Sequence, residues 1–124
     1  MKINRIDIIS IPVSDQDAAK IFYRDILGFD VLWDDPMGPN QQWVQLAPPG
    51  AETSITLVTW FEKMQPGSVH GMVLDTEDIS SAYEKLKSSG IAVSDIEHAP
   101  WASFATFSDP DGNGWIIQQA TVQT

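Results

Sequence analysis

Apolar positions along this chain switch period from about two to about 3.6 and back, and they do so twice. Residues 3–13 are rich in isoleucine and read as a strand. Ser14 or Asp15 then opens a helix, in which Ala18, Phe22 and Ile26 recur four apart, with Ala19, Tyr23 and Leu27 beside them as one apolar stripe. Gly28 supplies the stop. Strands are predicted over 29–34, 42–47 and 54–60, separated by turn segments that hold Pro36, Gly38 and Pro39 and then Pro48, Pro49 and Gly50. After Gln65, Pro66 and Gly67 the order repeats. Residues 69–74 form a continuous apolar run, and Asp78 opens a helix with Ile79, Ala82, Tyr83 and Leu86 at i, i+3, i+4 and i+7. Lys85 and Lys87 suit its C-terminal end, Gly90 ends it, and strands are predicted over 91–96, 103–107 and 115–119. The pattern is βαβββ twice, an α+β chain with a two-fold internal repeat. We expect one domain over 1–124, with repeat halves of about 1–64 and 65–124.

The strongest local signal lies between the last two strands. In Asp109-Pro110-Asp111-Gly112-Asn113-Gly114-Trp115, the proline pre-sets φ for a turn, the aspartates suit bonds to nearby N–H groups, and Gly112 and Asn113 tolerate positive φ. Together with Val13-Ser14-Asp15, Phe22-Tyr23 and Leu27-Gly28-Phe29 near the start, this turn resembles the vicinal oxygen chelate superfamily of glyoxalase I, extradiol dioxygenases and bleomycin-resistance proteins. The resemblance covers nearly the whole chain. It implies a curved, cup-shaped mixed sheet with the helices on its convex side, and a homodimer.

It also implies where a metal would sit. The family's enzymes hold one divalent metal on four His, Glu or Gln side chains, two from each half. Counted from the motifs, the first position is Ile8, the second Gln45 and the fourth Ile116. The third is Gly71 when counted from the second helix and His70 when the halves are matched at Gly28 and Gly90. Since side chains alternate along a strand, the two readings send His70 to opposite faces. Isoleucine is no ligand and an amide oxygen is a weak one, whereas catalytic sites usually take three protein ligands. We therefore expect no metal and no other cofactor, and assign no catalytic residue.

Composition narrows the partners. Seven basic against seventeen acidic residues give a net charge of −10, which repels nucleic acid and anionic membranes and favours a cationic ligand, although it also simply keeps a protein soluble. There is no cysteine, no run long enough to span a membrane and no signal-like start, which fits a cytoplasmic location. No Gly-x-Ser-x-Gly elbow or phosphate loop occurs, and the pairs Asp34-Asp35 and Glu77-Asp78 read as solvated or capping carboxylates. Five tryptophans are many for this length. Alternation puts Trp43 on the side of Gln45, Trp60 and Trp101 fall where the rim of a cup would be, and Trp115 faces away from Ile116. Ile8, Trp43, Gln45, Trp60, His70, Trp101 and Ile116 are thus the candidate ligand-binding residues, an apolar set with a few polar handles. The preferred expectation is a metal-free protein that binds a small organic molecule. The alternatives are a glyoxalase-like lyase, isomerase or dioxygenase with a non-standard metal site at His70 and Gln45, and an interaction domain whose cup is filled by its own side chains.

Overall fold

The computed structural model describes residues 1–121. Each half is the same unit. The first runs β1 (Ile8–Pro12), α1 (Gln16–Ile21), β2 (Asp30–Gly38), β3 (Gln41–Ala47) and β4 (Ser54–Val58). The second runs β5 (Met72–Asp75), α2 (Ile79–Ser88), β6 (Glu97–His98), β7 (Ala102–Ser108) and β8 (Gly114–Ala120). The strand orders are β1-β4-β3-β2 and β5-β8-β7-β6. In both sheets the first strand pairs in parallel with the last, and all other pairings are antiparallel. The chain divides into two compact units after Ser68. Among the described residues, no helix is long and apolar enough to cross a membrane.

In the first unit the alternation sorts side chains cleanly. Ile11, Val44 and Leu57 stand opposite one another across β1, β3 and β4, and all three are buried against the α1 side. Asp15 caps α1 by accepting from the N–H groups of Asp17 and Ala18. The helix then widens into a π turn over Phe22–Ile26, closed by the Leu27 N–H donating to the Phe22 carbonyl at 3.2 Å. The wider turn carries both Phe22 and Tyr23 inward, where their rings meet edge-on at 5.1 Å and Tyr23 packs on Phe29 at 5.7 Å. Ala19, three and four residues before Phe22 and Tyr23, is buried with them, whereas Ala18, also expected on the stripe, is exposed.

The second unit repeats this with α2. Ile79 and Leu86 are buried, and α2 packs on β7 and β8, whose Ala105, Phe107, Trp115 and Ile117 fill the core. Asp78 accepts from the Ser81 N–H, and the Gln119 side chain accepts from the Ile79 N–H, so two of the helix's free donors are met. The turn before β8 is held by buried Asp109, which accepts from the N–H groups of Asp111 and Asn113 and from the Asn113 amide. The Asn113 oxygen in turn accepts from the Val69 N–H, fastening the start of the unit to the hairpin tip.

Several expected boundaries move. The strand over 3–13 is confined to Ile8–Pro12, because its partner β4 starts only at Ser54. The run over 69–74 becomes a strand at Met72, because Gly71 adopts φ 84° and breaks the extended path. The strand over 91–96 is replaced by the two-residue β6. There the Ser94 hydroxyl accepts the Thr106 N–H while the Ser94 N–H donates to the Thr106 carbonyl, so a side chain takes a ladder position. His98 lies in β6 and pairs with Ser103. Pro36 and Gly38, expected in a turn, belong to β2. As an edge strand it tolerates a residue without an N–H, and the turn is made by Pro39 and Asn40, the latter at φ 61°.

Asp34 is not the solvated carboxylate that its neighbour Asp35 suggested. It sits on the helix side of β2, takes the Lys20 ammonium of α1 at 2.6 Å and accepts from the Gln42 amide. Hydrogen bonding to Lys20, and then to Gln42, holds its carboxyl below the usual carboxylate range. A lowered folded-state value adds stability that is present above the unfolded carboxylate range, about pH 4, and is lost as pH falls through the folded value. Asp34→Asn should therefore be less stable than the parent at neutral pH, with a gap that narrows towards pH 2. Urea unfolding across this range tests it, and a gap that stays constant or widens in acid contradicts it.

Candidate functional site

The face of each sheet turned away from its helix carries the candidate residues. In the first unit Ile8 stands beside Ser54 across the parallel pair, and Gln45 faces Thr56 across the antiparallel one. Ser54 therefore lies between Ile8 and Gln45 on the helix-free side. Trp43 lies two residues before Gln45 on the same strand, and Trp33 faces Gln45 from β2. Ile8 is 37% exposed and Trp33 58%, whereas Ser54 and Thr56 beneath them are buried.

Three of these side chains form a directed chain of hydrogen bonds. The Trp43 indole N–H donates to the Gln45 amide oxygen at 2.9 Å, and the Gln45 amide nitrogen donates to the Ser54 hydroxyl at 2.8 Å. The Ser54 hydroxyl lies 3.4 Å from the Asp7 carbonyl. Beyond the end of β4, Trp60 and Phe61 meet at 6.1 Å between ring centroids. With Ser10, Glu62, Lys63 and Met64 they border a shallow, mostly apolar groove of about 520 Å³. Ser10 follows Ile8 by two, so this groove joins the same face.

In the second unit the corresponding face carries Val73, Ile116 and Thr106, which stand in register across β5, β8 and β7. Trp115 is buried on the helix side, opposite to Ile116, as alternation requires. The positive φ of Gly71 interrupts the alternation just before β5. His70 ends on the open side, where its ring lies over Gly114. A β-carbon on Gly114 would stand 2.8 Å from the His70 Nδ1. Glycine at 114 is thus needed for close approach of a side chain. Trp101 is 67% exposed just ahead of β7, at the opposite end of the β7–β8 pair from His70 and Gly114. At about 3.3 Å per residue that separates them by roughly 20 Å, so the structure does not gather Trp101 with His70.

Ser54, Ser10, Trp33 and Phe61 were missing from the residues picked out by sequence. Alternation from Ile8 alone points to Ser10. Ser54 needed the β3–β4 register, and Trp33 needed the irregularity between Val31 and Trp33 that sets its direction.

A metal of the kind held by the family's enzymes does not fit these residues. Ile8 and Ile116 have no donor atom, and the Gln45 amide oxygen is a weak ligand that already accepts from the Trp43 indole. Even with Gln45, the His70 imidazole falls short of three protein ligands, and among the described residues no three His, Cys, Asp or Glu side chains lie close enough to hold a metal ion.

The family model described as "Glyoxalase/Bleomycin resistance protein/Dioxygenase superfamily" matches residues 5–117. The chain belongs to that superfamily. It is similar to YetH of Bacillus subtilis (strain 168), with 36% identity over 121 residues, covering 94% of this chain and 99% of YetH. Among solved structures it resembles TnmS3, an antibiotic binding protein from Streptomyces sp. CB03234, at 45% identity and a TM-score of 0.93, covering 98% of this chain and 99% of that one. A second structure, a glyoxalase/bleomycin resistance protein from the same Streptomyces, matches at 44% identity and a TM-score of 0.81, covering 94% and 100%.

The contact at Gly114 makes a testable statement about His70. Gly114→Ala should lower stability by roughly 1–2 kcal/mol, the usual scale of overpacking. The loss should be smaller when His70 is also replaced by alanine, which a double-mutant cycle on the melting transition would measure. Equal losses with and without the imidazole would place His70 away from Gly114.

Proposed function

We propose that this chain is a metal-free binding protein for a small organic molecule, of the antibiotic-sequestering kind, with its ligand received on the helix-free faces of the sheets. The observation that carries the reading is the match to TnmS3, an antibiotic binding protein, at 45% identity over 98% of the chain. The second support is chemical. Two of the four positions where the family's enzymes place ligands are isoleucine, and the Gln45 amide is turned inward to Trp43 and Ser54. With no metal to polarise a carbonyl, what these faces offer is apolar contact from Ile8 and Ile116, indole surface from Trp43 and Trp33, and a few polar groups. A net charge of −10 favours a cationic compound and aromatic faces favour a planar one, so a planar, cationic ring system is the proposed ligand class. Trp60, His70 and Trp101 stay in the proposed binding set. The protein acts as a cytoplasmic homodimer, one domain per chain, by holding its ligand rather than transforming it.

The test is elemental analysis of protein prepared without an affinity-tag metal, repeated after adding Zn, Ni, Mn and Fe(II), with the melting temperature followed alongside. We expect less than 0.1 metal per chain and no stabilisation, since a resident ligand at a hundred times its Kd would add about 2.7 kcal/mol. About one metal per chain with a raised melting temperature contradicts the reading. It would favour the enzyme alternative and make His70 and Gln45 the first residues to replace. A screen of planar cationic compounds, read by tryptophan fluorescence, tests the ligand class. Failure of every compound to bind would favour an interaction domain.

A further inference from the structure

The chain of hydrogen bonds from Trp43 through Gln45 to Ser54 has a direction, and the direction limits what the indole can do. An indole has one donor and no acceptor, and its N–H here is engaged by Gln45 at 2.9 Å. The Gln45 amide cannot flip without putting its NH₂ against that N–H, because its nitrogen already donates to Ser54 at 2.8 Å. Ser54 is buried within β4, and its backbone N–H donates to the Asp7 carbonyl at 3.0 Å, so this end of the chain is fixed by the strand itself. The ring of Trp43 is thereby held by its polar edge, which leaves its apolar surface as the part available to a bound molecule.

From this geometry we infer that Gln45 is a positioning residue: anchored by Ser54, it takes up the Trp43 N–H and fixes the indole as a flat ring surface for the ligand. The inference rests on the ligand-binding reading above and names how that site selects. A compound that offers a ring face gains from a surface already oriented, so less conformational freedom is lost on binding. A compound that offers an acceptor to the indole gains nothing unless it displaces Gln45. Gln45 stands where the family's enzymes place a metal ligand, so in this chain the position serves orientation.

The experiment uses the full-length protein and two independent readouts. Hydrogen exchange of the Trp43 indole N–H is followed by NMR, with the resonance assigned by its loss in Trp43→Phe. Affinity is measured with proflavine, a planar cation, as the probe. In Gln45→Leu the indole N–H should exchange at least tenfold faster and proflavine should bind about five- to tenfold more weakly, the scale of one hydrogen bond. Gln45→Glu keeps an acceptor for the indole, and the Ser54 hydroxyl can turn to donate to it. This variant should restore slow exchange and most of the affinity. Ser54→Ala, a smaller change for the fold, should fall between parent and leucine variant in exchange. An indole N–H that stays protected in folded Gln45→Leu overturns the inference, as does unchanged proflavine affinity in that variant. If proflavine binds neither parent nor variants, the proposed ligand class fails, and the exchange readout still decides the orienting role by itself.

Discussion

β4 lies between a parallel neighbour and an antiparallel one, and its register decides which face of the first sheet is apolar core and which can receive a ligand. Leu57 meets Ile11 on one side and Val44 on the other, while Thr56 meets Ser10 and Gln45. A slip of one residue would exchange these rows, putting Thr56 into the core beneath α1 and Leu57 onto the open face. The polar chain through Trp43, Gln45 and Ser54 depends on the same register, since Gln45 reaches Ser54 diagonally, two residues along β4 from Thr56. Core and site are two sides of a single pairing.

The second unit reaches the same separation by other means. Its short first strand, β5, is only four residues long and is preceded by a glycine at positive φ. The start of the unit is secured by the Asp109 turn, through Asn113 to the Val69 N–H and through the Gly114 N–H to the Val69 carbonyl at 2.7 Å. The turn therefore both reverses the chain and carries the segment that brings His70 over Gly114. Its placement far along the sequence from Val69 is a long-range closure made by one buried carboxylate and one amide.

Much of this was legible in the sequence because it rests on periodicity. The apolar stripes gave both helices, and simple alternation put Trp43 with Gln45 and set Trp115 against Ile116. What was not legible depended on single backbone irregularities that no hydrophobic pattern encodes. The positive φ of Gly71 resolves the position of His70, which two countings had sent to opposite faces. The π turn over Phe22–Ile26 is one such irregularity, and the Ser94 hydroxyl, which takes a ladder position where a strand was expected, is another. The place of Trp101 before the last hairpin was legible, but its distance from His70 followed only from the register of β7 with β8. Proximity along a strand is a length, and it is known only once the pairing is known.

The central claim is that a small molecule is received on the helix-free faces with no metal between it and the protein. Chemical-shift mapping of metal-stripped protein titrated with a compound that binds tests it most directly. The account predicts perturbations concentrated at Ile8, Trp43, Gln45 and Ser54, unchanged by a chelator. Perturbations confined to the helix side, around Lys20, Asp34 and Tyr83, or binding that disappears with the chelator, would contradict it.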